Sequence, residues 1–184
     1  MIFFDDWMVI YNIDTKETQK LSKFVNNNIK KIDEVNLKLK STRGPNSKQF
    51  DLLPIVKKNS KKIDIIKEKV IFYINKTFNK KVNPIVQSAW TVLGKKGSYH
   101  LPHKHNSYDK THVSSVLYLN TPKQTEDEAG NFYWYFRKNN EILFYHHKPR
   151  KGDLIIFPVW IWHGTFPQNE GLRQTLNVDF ELKI

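Results

Sequence analysis

Three histidines and an arginine stand at separations that could assemble a metal centre beside an anion clamp. His103 and His105 are two residues apart. In an extended chain both imidazoles then lie on one face while Lys104 points away, as two adjacent ligands of one ion require. A surface loop can carry such a pair by chance, so the spacing alone leaves both readings open. His163 ends an apolar run that starts at the turn residue Gly152 and passes through Pro158, Trp160 and Trp162. An imidazole in such surroundings needs a partner, either a metal or a backbone carbonyl. Ten residues further on, Arg173, Thr175 and Asn177 share one face of a strand whose other face carries Leu176, Val178 and Phe180. A planar guanidinium beside a hydroxyl makes a carboxylate cradle, with two parallel charge-assisted bonds and a third from the hydroxyl. A salt bridge at a turn is the plainer alternative for Arg173.

The chemistry is bounded by what is missing. There is no cysteine, which excludes a disulfide framework, a thiolate zinc site and a cysteine nucleophile, so a metal must use His, Asp or Glu. All seven histidines (His100, His103, His105, His112, His146, His147 and His163) fall in the second half of the chain, where strand propensity alone does not ask for them.

The elements that must position these residues change character near residue 85. Asp14 and Glu17 have the spacing of a capping box, and Leu21, Phe24, Val25, Asn28, Ile29 and Ile32 follow at helical intervals, predicting a helix of about five turns. Residues 40–60 read as a connector rich in Gly, Pro, Asn and Ser. A second helix is expected from about Ser60 through Ile63, Ile66, Val70, Tyr73, Ile74 and Phe78, closed by Pro84. Beyond it, runs rich in Val, Ile, Tyr, Phe and Trp at 86–93, 113–119, 132–136, 142–145, 154–157 and 175–182 alternate with turn signals. Short strands without intervening helices argue for a β-barrel or two-sheet sandwich flanked by the two helices. At 184 residues, one domain spanning 1–184 is expected, with 1–85 as a helical support region and 86–184 as the β core.

The net charge of +12 is uneven: residues 1–85 hold 18 Lys/Arg against 9 Asp/Glu, and residues 86–184 hold 12 against 9. Most of the excess is Lys scattered among Asn and Ile, which reads as a solvated face in preference to a nucleic-acid surface. No run approaches the roughly 18 apolar residues a membrane span needs. Asp5 and Asp6 stand where a signal peptide would be apolar, so a cytoplasmic protein is expected.

Taken together, the stretches Gly97-Ser-Tyr-His-Leu-Pro-His-Lys-His105, Ser115-Val-Leu-Tyr-Leu-Asn120, Gly130-Asn-Phe, Gly152-Asp-Leu-Ile-Ile-Phe-Pro-Val-Trp-Ile-Trp-His163-Gly and Arg173-Gln-Thr175 resemble a known family. It is that of the Fe(II)- and 2-oxoglutarate-dependent oxygenases, particularly the small prolyl-hydroxylase-like members of marine bacteria and phages. The resemblance covers residues 86–182 and implies a double-stranded β-helix (jelly-roll, cupin-like) core. It further implies Fe(II) as cofactor, with 2-oxoglutarate and O₂ as cosubstrates. Carried over residue by residue, His103 and His163 become metal ligands, Arg173 the partner of the distal carboxylate of 2-oxoglutarate, and Thr175 its hydroxyl helper. Tyr99 and Tyr118 are further cosubstrate candidates. His105 departs from the family pattern, which has an aspartate or glutamate there; it is kept as the third ligand, with Asp109 in reserve. The resemblance leaves a peptidyl residue, a free amino acid, a nucleobase or a metabolite open as substrate. Residues 40–60 and 126–128 are expected near the entrance. A cupin-type metal module without 2-oxoglutarate explains the histidines equally well, but not Arg173 and Thr175.

Overall fold

A computed structural model describes residues 2–4, 8–35, 43–105 and 112–183. The first helix, α1 (Thr15–Ile29), starts where its cap is: the Asp14 carboxylate accepts the Glu17 amide at 3.0 Å, and Thr18, Leu21 and Val25 form the buried stripe. Residues 43–60 hold more regular structure than their turn-rich composition suggests. They hold strand β3 (Ser47–Asp51) and a short helix α2 (Leu53–Lys58) with Pro54 in its first turn, where a missing N–H costs nothing. A 3-10 turn (Ser60–Ile63) leads into α3 (Asp64–Phe78), which buries Ile66, Val70, Tyr73 and Ile74 and ends on Asn79 in the left-handed region. No described helix is long and apolar enough to cross a membrane.

Eleven strands form two sheets among the described residues. The expected strands appear as β4 (Asn83–Gly94), β6 (His112–Asn120), β7 (Phe132–Lys138), β8 (Glu141–His147), β9 (Asp153–Pro158) and β11 (Arg173–Lys183). Two further short strands carry His100, His103 and His163, namely β5 (His100–His103) and β10 (Trp162–Thr165), and two lie near the start of the chain, β1 (Ile2–Phe4) and β2 (Met8–Asn12). The larger sheet runs β1-β2-β9-β6-β11-β4-β3 and the smaller β5-β10-β7-β8, every pairing antiparallel. The region before residue 86 thus contributes strands as well as helices. The β7–β8 hairpin closes on Asn139 and Asn140, both at positive φ, as a two-residue turn of matching twist requires.

The central strands of the larger sheet are covered on both faces, and their alternation decides what each face does. Leu117, Leu154, Ile156, Leu176, Val178 and Phe180 pack under α1 and α3, while Val116, Tyr118, Ile155 and Phe157 meet Phe132, Trp134 and Ile161 between the sheets. Buried Asp153 ties the layers together. Its carboxylate accepts bonds from His147 of the smaller sheet at 2.9 Å, from the Arg150 amide at 2.8 Å and from Asn12 at 3.1 Å. Burial pushes its pKa up, but these donors outweigh burial and hold it below the usual carboxylate range. Its contribution is therefore complete above about pH 4 and is lost as pH falls through the depressed folded value. Asp153→Ala is expected to destabilise the fold by about 2–4 kcal/mol in a denaturant titration at neutral pH. An unchanged midpoint would mean that the layers are held by other contacts.

Candidate active site

The two short strands bring the predicted ligands together. β10 lies between β5 and β7, with His163 directly opposite His103 on one side and Trp134 on the other. His105 follows β5, and its backbone amide is fixed by the Val159 carbonyl at 3.0 Å. The three imidazole centroids stand 4.4 Å (His103–His163), 5.0 Å (His105–His163) and 5.6 Å (His103–His105) apart. One ligand nitrogen from each lies within 4.8 Å of the others. Gly164 permits this closeness, since a Cβ there would sit 2.6 Å from the His100 carbonyl oxygen and against the Tyr133 hydroxyl.

Hydrogen bonds decide which nitrogens face inward. His103 Nδ1 bonds the Leu101 carbonyl at 2.8 Å, and His163 Nδ1 bonds the Ile161 carbonyl at 2.9 Å. A carbonyl only accepts, so both rings carry their proton on Nδ1 and keep a lone pair on Nε2. His105 Nδ1 bonds the Asp179 carboxylate at 2.9 Å, which leaves its Nε2 inward by the same logic. Burial first, then the neighbouring imidazoles, drives the pKa of His163 well below its ordinary value, and burial lowers that of His103. Three imidazoles that each turn Nε2 toward one point fit a divalent transition metal.

The histidines open into a cavity of about 400 Å³ that also contains Arg173, Thr175 and Tyr118. Arg173 begins β11, the strand flanked by β4 and β6, and is only 5% exposed. Its guanidinium donates to Thr165 Oγ1 at 3.1 Å and to the Gly130 carbonyl at 3.4 Å, leaving further N–H donors for a ligand. Thr175 Oγ1 accepts from Asn177 at 3.0 Å, so its proton is free to donate. The buried Tyr118 hydroxyl has no partner among the described residues. Burial raises its pKa while nearby Arg173 pulls the other way, so it is a neutral donor beside a cation. A carboxylate at this end would satisfy an orphaned hydroxyl and a buried guanidinium together, and a keto-dicarboxylate fits a cavity with cationic and metal-ligating ends.

Tyr99 does not line the cavity; its ring packs on the position of Gly44. Asp109 lies outside the described residues. From the connector, Arg43 and Gln49 line the cavity, whereas none of residues 126–128 does. His146 and His147 bond Asn131 and Asp153 away from the site. Sequence reasoning left His100 unassigned, yet it lines the cavity, and burial followed by Arg173 depresses its pKa strongly. It also overlooked Trp90, Thr165 and Asp179. Asp179 continues the two-residue alternation from Arg173, so spacing shows which face it is on, though not that His105 is its partner.

Comparison with known proteins agrees with this geometry. The family model described as "Putative 2OG-Fe(II) oxygenase" matches residues 88–179. A search of the curated proteins by sequence found no match. Among solved structures, a prolyl-4-hydroxylase from Pseudomonas putida is similar in fold, with a TM-score of 0.66 at 16% identity over 95% of this chain and 91% of that one. The viral collagen prolyl hydroxylase of Paramecium Bursaria Chlorella virus-1, solved as a 2OG complex, gives 0.62 at 20% identity over 97% of each chain. HygX from Streptomyces hygroscopicus, with nickel, 2-oxoglutarate and hygromycin B bound, gives 0.66 at 14% identity over 97% of this chain and 84% of that one. The matched segment is half of the 184 residues and contains all three histidines and Arg173, so the chain belongs to the 2OG-Fe(II) oxygenase family, oxidoreductases that use Fe(II) and 2-oxoglutarate.

Proposed function

We propose that the protein is a 2-oxoglutarate-dependent dioxygenase whose Fe(II) is held by His103, His105 and His163, and whose cosubstrate is gripped by Arg173, Thr175 and Tyr118. The observation that carries the reading is one cavity with three inward Nε2 lone pairs at one end and a buried guanidinium beside an orphaned hydroxyl at the other. With Fe(II), 2-oxoglutarate and O₂ bound, such a site couples decarboxylation of 2-oxoglutarate to succinate and CO₂ with insertion of the second oxygen atom into a substrate C–H bond. The chain's own contribution is placement. Arg173 and Thr175 project from one face of β11 and orient the distal carboxylate, so that the keto-acid end reaches the histidines. Phe132 and Phe157, with ring centroids 5.6 and 4.5 Å from that of His163, keep water from the buried side of the metal ligands.

Substrate enters, in this reading, along the wall built by Gln49 of β3 and Ser88 and Trp90 of β4, with Arg43 also in the lining. A peptidyl residue, an amino acid, a nucleobase or a small metabolite each suits a wall of this mixed polarity. We further take residues 1–184 as one folding unit, because Leu21, Val25, Ile66 and Val70 share a core with Leu117, Leu176 and Phe180. Anaerobic titration of the metal-free protein with Fe(II) and then 2-oxoglutarate tests the proposal. The expected result is one equivalent of metal, followed by the visible charge-transfer absorption of a keto acid chelated to Fe(II). Tight metal binding without that absorption would replace this reading with a cupin-type metal module.

A further inference from the structure

The three histidines are not equivalent behind the metal site. His103 and His163 rest their Nδ1 protons on neutral backbone carbonyls. His105 rests its Nδ1 on Asp179 Oδ1 at 2.9 Å, and Asp179 Oδ2 accepts the Ser88 hydroxyl at 3.2 Å. Asp179 is about nine-tenths buried and sits where the β11–β4 ladder skips Gln87, so a bulge follows directly on the pairing of Asp179 with Ser88. The Trp90 ring lies 5.5 Å from that of His105 and flanks this contact. His105 is also the position at which this chain departs from a carboxylate-bearing pattern.

We propose that Asp179 is a positioning residue for the metal centre: it holds His105 with Nε2 inward and supplies, one imidazole away, the negative charge that a directly ligating carboxylate would have supplied. This rests on the reading of His105 as a ligand. Three neutral imidazoles leave a divalent ion with its full charge. A carboxylate hydrogen-bonded to the far nitrogen makes the imidazole a stronger donor and lowers the net charge of the buried cluster by one. Of the three ligands, His105 is the one so backed, and the arrangement moves the carboxylate outward by the width of a ring without removing it. The Ser88 hydroxyl and the bulge fix the carboxylate's rotamer, so ring orientation and charge are set by the same group.

The test uses the full chain, metal-free, with Co(II) as an air-stable probe; affinity comes from competition with a chromophoric chelator, and thermal midpoints of the metal-free variants are measured in parallel. Asp179→Asn keeps shape and an acceptor but loses the charge, and is expected to weaken Co(II) binding about 10-fold; Asp179→Ala loses both and is expected to weaken it about 100-fold. In a His105→Asp background the charge returns to the ligand shell, and there Asp179→Asn is expected to cause no loss of affinity. An equal loss in both backgrounds would overturn the proposal in favour of a purely architectural role. Unchanged affinity in both Asp179 variants would overturn it outright, as would a His105→Ala variant that binds Co(II) as tightly as the unmodified protein, because Asp179 would then be a ligand itself. Failure of the unmodified protein to bind Co(II) would remove this proposal and the metal assignment together, whereas Co(II) binding that is lost in His163→Ala but unchanged in both Asp179 variants would overturn this proposal alone.

Discussion

Alanine in place of His163 is expected to abolish stoichiometric Fe(II) binding while leaving the fold in place. The imidazole is 4% exposed and supplies the ligand that faces both His103 and His105, so two remaining nitrogens cannot enclose an octahedral ion from three sides. The metal-free fold tolerates the loss because, among the described residues, the ring's one hydrogen bond is with the Ile161 carbonyl two residues away, and because the space vacated adjoins an existing cavity. Metal analysis after anaerobic loading, with circular dichroism on the same sample, reads both halves of this expectation. A folded variant that still takes up one equivalent of iron would end the ligand assignment.

Arg173→Ala is expected to leave Fe(II) binding intact and to weaken 2-oxoglutarate by about 2–5 kcal/mol, the usual loss when one partner of a buried charge pair is truncated. That is roughly 30-fold to several thousand-fold in dissociation constant. The size follows from burial: Arg173 is 5% exposed, held by Thr165 and Gly130, and shares its end of the cavity with the orphaned Tyr118 hydroxyl, so water competes poorly there. Lysine at 173 should recover only part of the loss, because an ammonium cannot present a planar fork. Calorimetry on protein loaded with Ni(II) measures both variants, and an Arg173→Ala protein with undiminished affinity would remove the cosubstrate claim.

What could be read from the sequence follows the length of each pattern. β11 alternates over eleven residues, so its polar face, from Arg173 through Asn177, is evident from spacing alone. The capping pair Asp14 and Glu17 marks the start of α1 in the same way. The strands that carry the metal ligands were not legible as strands. β5 and β10 have four residues each, include Pro102 and Gly164, and exist because they pair with each other and with β7, which is tertiary information. β3 is hidden similarly, an edge strand in a segment whose Gly44, Pro45 and Asn46 signal only a turn. Asp179 was passed over because one residue cannot be seen to serve another 74 positions away until the fold brings them to 2.9 Å.

β11 is also a ruler. From Arg173 to Asp179 is six residues, about 20 Å of extended chain, and along that length every second side chain belongs to the active site. The intervening Leu176 and Val178, with Phe180 beyond, are the graduations that lock it to the helical layer. A slip of one residue against β4 or β6 would bury Arg173 and Asp179 under the helices and turn leucine and valine toward the metal. The spacing between cosubstrate grip and metal brace is therefore proofread by folding itself: a molecule whose core has closed correctly has, by the same register, measured out its active site.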